Sequence, residues 1–253
     1  MKRLCLGISL VLGSVSGLLA EENGVYLGAD YQIGQARAYT DVYSQWKDGA
    51  LYPPGTGPNY NNWQGTNVSW HAKYDNGALN GFGIQVGQKF FFKPHNAKTK
   101  WAGLRYYGFF NFGHANLGPQ IASQFVNGYA QDIRLNMTAW GVGVDALGNF
   151  IDKTNASVGL FAGVAIGGNS WTSSATNYWK QTLKNLSGSN PTFSPVSFQV
   201  WLDLGLRTNL YKHNGVELGV KVPLLVNKFL HAQRWRYDLK RDYSVYVAYL
   251  YSF

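Results

Sequence analysis

The chain has 253 residues, of which 30 are glycine, 16% are aromatic and only 14% are charged, with a formal net charge of +9. A single cysteine, Cys5, excludes a disulfide framework and a cysteine metal site. The positive balance comes without zinc-finger spacing, a phosphate loop or a basic helix, so nucleic acid is not an expected partner.

Lys2 and Arg3 precede an apolar run to about Val15, and Ala20 stands just before Glu21 and Glu22. This is the pattern of a secretory signal peptide, predicted over residues 1–20, with residues 21–253 as one mature domain. No later run reaches the roughly 20 apolar residues of a membrane helix.

Eight segments then alternate apolar and small or polar residues, the period of a strand. They are predicted near residues 24–34, 81–92, 102–113, 137–147, 156–167, 196–208, 216–222 and 243–253. Lengths of roughly 9–11 residues suit a tilted bilayer crossing. The connections alternate as well. Those at 93–100, 148–155 and 209–215 are short, and those at 35–80, 114–136, 168–195 and 223–242 are long. An even number of strands, short turns at one end and long loops at the other predict an all-β fold: an eight-stranded antiparallel transmembrane β-barrel of outer-membrane type, with four long extracellular loops and short periplasmic turns. The last segment puts Tyr243, Val245, Val247, Tyr249, Tyr251 and Phe253 on one face. Such an aromatic ending is expected to close the barrel and to be read by the outer-membrane assembly machinery.

The opposite phase of these strands faces inward. It carries four acids, Asp30, Asp145, Asp203 and Glu217, and four bases, Lys89, Arg105, Arg207 and Lys221. Eight strands enclose a space that side chains just fill. The eight charges are therefore expected to pair as a plug, since unpaired buried charge is costly; a narrow or gated ion path is the alternative.

The first long loop is rich in aromatics, with Trp46, Tyr52, Trp63 and Trp70 as candidates for stacking on a host surface ligand. The fourth carries Arg234, Arg236, Lys240 and Arg241, whose guanidinium forks and ammonium suit the phosphates of lipopolysaccharide. No cofactor or metal site is expected, because the five histidines fall in five different connections. Phe112-Gly113-His114-Ala115-Asn116 has alanine where a lipid hydrolase of His-x-Ser-Asn type needs its nucleophile, so catalysis is not expected.

Several blocks resemble the Helicobacter-type outer-membrane proteins (the Hop/Hor group). They are Glu21-Glu22-Asn23-Gly24-Val25-Tyr26 with Tyr31-Gln32-Ile33-Gly34, Gly103 to Phe110, Asp203 to Asn209, His213 to Lys221, and Arg241 to Val247 with the Tyr-Ser-Phe ending. The resemblance implies an outer-membrane location and a role at the cell surface as adhesin or porin. The large adhesins of that group carry a long amino-terminal domain without counterpart in this chain, so any adhesion is expected from the four loops.

Overall fold

The computed structural model describes residues 23–47, 50–52, 66–70, 74–92, 101–119, 132–153, 155–177, 180, 190–232 and 235–253. Twelve strands are found among them: β1 Gly24–Lys47, β2 Ala50–Tyr52, β3 Thr66–Trp70, β4 Tyr74–Phe92, β5 Ala102–Pro119, β6 Asp132–Lys153, β7 Ala156–Ser173, β8 Thr192–Phe193, β9 Val196–Leu210, β10 Asn214–Pro223, β11 Asn227–Ala232 and β12 Trp235–Ser252. Eight of them form an antiparallel ring in the order β1-β4-β5-β6-β7-β9-β10-β12, and β12 closes it by pairing back onto β1. The fold is the expected eight-stranded barrel.

The ladder also gives the stagger of the barrel. From Ile33 it runs through Asn80, His114 and Asn136 to Thr172 on β7. In the other direction it runs through Val245, Val220 and Leu204 to Ala162 on the same strand, ten residues lower. A stagger of ten over eight strands tilts them steeply, and eight strands leave an interior that side chains just fill.

The start of β1 and the carboxyl terminus lie at one end, where the Phe253 amide donates to the Val25 carbonyl at 2.9 Å. This end also holds the short connections and is called the turn end here. The turns are tighter than expected: β6 and β7 are separated only by residues 154–155, and β9 and β10 by residues 211–213. Tyr211 and Lys212 have φ of 50° and 68°, the left-handed pair that the twist of a short hairpin demands.

Next to the turn end, every wall strand turns apolar residues outward. Leu27, Ile84, Val142, Val164 and Leu204 are 50–60% exposed. An exposed apolar surface running round the whole ring has lipid as its solvent. Aromatics border this belt at both edges, Trp101, Phe150, Tyr211 and Phe253 at the turn end, and Phe82, Phe112, Trp140 and Tyr243 at the loop end.

The strands do not stop at the belt. β1 has 24 residues and β6 has 22, or roughly 70–80 Å of chain at about 3.3 Å per residue. This corrects the predicted loops at 35–80, 114–136, 168–195 and 223–242, whose flanks continue as barrel wall. Along this upper wall the polarity inverts. Outward positions become Asn80, His114, Asn136, Arg134 and Thr172, while Leu79, Leu117, Ile133, Leu135, Met137 and Trp171 turn inward and are nearly inaccessible. The upper storey is thus built like a soluble barrel, with an apolar core. Phe229 belongs to it, edge-on to Phe193 at 4.9 Å.

Two strands are rebuilt where the storeys meet. Pro195 and Pro223 cannot donate to a ladder, and each marks a break. Above them β8 and β11 take the places of β9 and β10: the Trp171 amide donates to the Pro195 carbonyl at 2.9 Å, β8 pairs β11, and β11 pairs β12. The bend at residues 224–226 is stapled by Gln199. Its Nε2 donates to the Leu225 carbonyl and its Oε1 accepts from the Leu225 amide, both at 2.8 Å.

Candidate functional site

The eight inward charges meet at the level of the lipid-facing belt. Arg105 on β5 lies in register with Asp145 on β6. Its Nε and Nη2 donate to Asp145 Oδ2 at 2.8 and 2.6 Å, and its Nη1 reaches across the lumen to Glu217 Oε1 on β10 at 2.5 Å. All three side chains are at most 3% exposed. The guanidinium also lies over the ring of Phe161 at 5.0 Å, with Tyr107 and Tyr26 slightly farther. Gly163 makes room for this arrangement, because a Cβ there would stand 2.0 Å from Asp145 Oδ1.

One layer nearer the loop end, Asp203 accepts from the Tyr246 hydroxyl at 2.8 Å and the Tyr107 hydroxyl at 3.3 Å, and Lys221 Nζ stands 3.6 Å away. Lys221 also lies over the Phe109 ring at 4.7 Å. Toward the turn end, Lys89 lies over Tyr26 and Arg207 over Phe91, at 5.5 and 5.2 Å. Arg207 and Glu217 are registered neighbours. Asp30 accepts from Gln32 at 3.2 Å, and Gln32 in turn accepts from Arg241 at 2.8 Å. Each ion loses water that would cost several kcal/mol to replace; here carboxylates, hydroxyls and aromatic faces replace it.

Arg241 requires a correction. Its place in the fourth long connection, 223–242, puts it among the expected lipopolysaccharide contacts. The ladder instead pairs Gln35 with Tyr243 and Ala36 with Arg241, leaving Asp242 as an extra residue. A β-bulge of this kind flips the side chains beyond it. Arg241 is therefore 2% exposed inside the barrel and adds a fifth base to the lumen.

Of its companions, Arg234 lies outside the described residues. Arg236 is exposed and donates from Nε to Asp238 Oδ2 at 2.7 Å. Lys240 is half-buried opposite Arg37. The loop aromatics are placed only in part. Trp46 lies in β1, Tyr52 in β2 and Trp70 in β3, brought together where β2 and β3 both pair the top of β1. Trp63 and all four side chains lie outside the described residues.

Sequence reasoning missed the aromatic half of the plug. Tyr26, Tyr107, Phe109, Phe161, Trp201 and Tyr246 are all buried inward, with Phe109 edge-on to Trp201 at 5.2 Å. The signal was present, since these residues share the inward phase with the charges. Among the described residues, no three histidine, cysteine or acidic side chains come together as a metal site.

Among curated proteins, no sequence matches the chain. Solved structures similar in architecture include Neisserial surface protein A, at 13% identity and TM-score 0.38, covering 91% of this chain and 97% of that one. The outer membrane protein OprG from Pseudomonas aeruginosa is similar at 12% identity and TM-score 0.43, covering 93% and 99%. Ail, the attachment invasion locus protein of Yersinia pestis, is similar at 11% identity and TM-score 0.28, covering 90% and 99%. Likeness this distant is no basis for a shared activity. The family model described as Helicobacter outer membrane protein matches residues 83–253, which hold four of the resembling blocks and leave out only the one near the amino terminus. This is more than half of the chain, so the chain belongs to the Helicobacter outer membrane protein family.

Proposed function

We propose that this protein is a non-conducting, non-enzymatic display barrel. It is exported behind residues 1–20, assembled through its carboxyl-terminal strand, and set with both termini in the periplasm and the upper storey outside the cell. The observation that carries this reading is the double filling of the interior. The ion and aromatic network occupies the lumen at belt level, and an apolar core with Leu135, Trp171 and Leu239 fills it above. A channel needs a continuous polar path, and a closely packed apolar core interrupts one. The same core gives the upper storey the stiffness to hold loops away from the membrane for adhesion to a host surface ligand.

The alternative is a narrow or gated channel, favoured by the charged lumen. Planar-bilayer recording of the purified protein separates the two: no steps are expected, and stable channels from pure protein would sink the display reading. Host attachment has its own test. Replacing residues 53–65 with a short Gly-Ser linker spares every described strand and is expected to reduce binding of whole cells to a host-glycan array. Unchanged binding would remove this loop from the adhesive surface.

A further inference from the structure

Twelve aligned residues on the outer face of β5 and β6 pass from apolar through aromatic to polar and cationic. Upward along β5 the outward positions are Tyr106, Gly108, Phe110, Phe112, His114 and Asn116. Beside them on β6 stand Val144, Val142, Trp140, Thr138, Asn136 and Arg134. Gly108 is the outward glycine of the lipid-facing stretch of β5. It sits between Val86 on β4 and Val142 on β6, and a Cβ on it would meet nothing nearer than 3.9 Å. It opens a groove of about 620 Å³ walled by Val86, Tyr106, Val144, Val164 and Ile166. The polar side chains at its lower end, Gln88 and Tyr106, hydrogen-bond each other.

Above the aromatic border the same face is polar. His114 Nδ1 is 2.7 Å from Asn136 Oδ1, which fixes the ring and leaves Nε2 with no partner among the described residues. Arg134 lies in register with Asn116, and no carboxylate pairs with its guanidinium among the described residues. Asp132 is the acid on this face, two residues farther from the belt. The other sides of the barrel differ. Arg37 is held by Asp242 at 2.9 Å, and β9 and the bend after β10 expose Val196, Phe198 and Leu224 at this level.

We infer that this face of β4, β5 and β6 binds one outer-leaflet glycolipid, an acyl chain lying in the Gly108 groove and a headgroup phosphate on Arg134 and His114. An amphiphile fits because groove and cation share one wall, the groove within the belt and the cation above its aromatic border. An anion suits it because no carboxylate pairs with the guanidinium among the described residues, and its forked donors match phosphate. The glycolipid assignment rests on the proposed orientation, which puts this end outside the cell.

Native mass spectrometry of the full-length protein in detergent, titrated with rough-type lipopolysaccharide, tests the site. One retained lipopolysaccharide per chain is expected. Arg134→Ala with His114→Ala is expected to weaken retention about tenfold or more, the loss of charge-assisted hydrogen bonds. Gly108→Leu is expected to weaken it by filling the groove, and Lys153→Ala, at the exposed turn end of β6, to leave it unchanged. Retention that is insensitive to all of these substitutions overturns the site. Equal retention of phosphatidylglycerol overturns the glycolipid assignment, and a second copy of the chain retained in place of lipid overturns the site. Orientation is read separately, by membrane-impermeant maleimide on whole cells carrying Ser174→Cys. Labelled cells whose purified protein retains no lipid refute the site while the orientation stands; unlabelled cells refute the orientation.

Discussion

Six of the eight wall strands run through two storeys of opposite polarity. At belt level β6 turns Trp140, Val142 and Val144 outward and Asp145 inward; above it the same strand turns Arg134 and Asn136 outward and Ile133, Leu135 and Met137 inward. On β6 the backbone ladder runs through both without a bulge at the crossing. What changes is the solvent. Where lipid surrounds the wall, polar groups gain by facing inward and pairing; where water surrounds it, apolar groups gain by facing inward and packing. The fold is indifferent to which of its faces is apolar, and the side-chain phase alone sets the depth at which the wall leaves the membrane.

The sharpest way to break the comparison is to damage each storey alone. Arg105→Met leaves Asp145 and Glu217 buried without their cation, at a cost of about 3–5 kcal/mol. The unfolding midpoint in urea, with the protein in lipid, is expected to fall accordingly. Trp171→Ala removes a side chain with no exposed surface, a loss of about 3–5 kcal/mol of packing. That loss is expected to stay in the upper storey, opening it to protease while the membrane barrel keeps its folded mobility on a gel. Loss of the folded band in the Trp171 variant would mean that the storeys unfold as one unit.

Sequence alone located the membrane storey because lipid demands outward apolar residues on every strand, a signal repeated eight times. The upper storey was passed over for the same reason: a strand was ended where its outward apolar residues ended. Yet Asp132 to Ala139 alternate strictly, and the adjacent pair Ala139 and Trp140, with inward and then outward apolar side chains, marks the crossing. The inward charges were legible from phase. Their partners across the lumen were not, because Arg105 and Glu217 stand on strands that do not pair and are joined only by closure. Arg241 falls in a segment expected as loop, and the bulge at Asp242 that turns it into the lumen leaves no sign in composition.

A second test sets two outward positions of one strand against each other. Val164 lies mid-belt on β7, and Thr172 lies on the same face above the crossing. Arginine in place of Val164 meets hydrocarbon and is expected to cost about 2–4 kcal/mol. Arginine in place of Thr172 meets water and is expected to change stability by about 0.5 kcal/mol or less. The unfolding midpoint of each variant in lipid vesicles measures the difference; equal losses would mean that the crossing is placed too low.

The smallest effect probes the joint itself. At the bend after Pro223 the chain leaves one ladder for the next, and the Leu225 amide and carbonyl are satisfied by the Gln199 side chain alone of all side chains described there. Gln199 is 1% exposed, so water has little access to replace it. Gln199→Leu keeps the volume and removes both bonds, an expected cost of about 1–3 kcal/mol. Gln199→Glu, ionised, keeps the acceptor for the amide and loses the donor for the carbonyl. Hydrogen exchange at the Leu225 amide should therefore rise more in the leucine variant than in the glutamate one, with the exchange of Val142 in the opposite wall unmoved. If Val142 moved as well, the staple would support the whole ring. If neither amide moved, Pro223 and the ladder to Val200 would hold the bend without it, and the storeys would be joined by backbone alone.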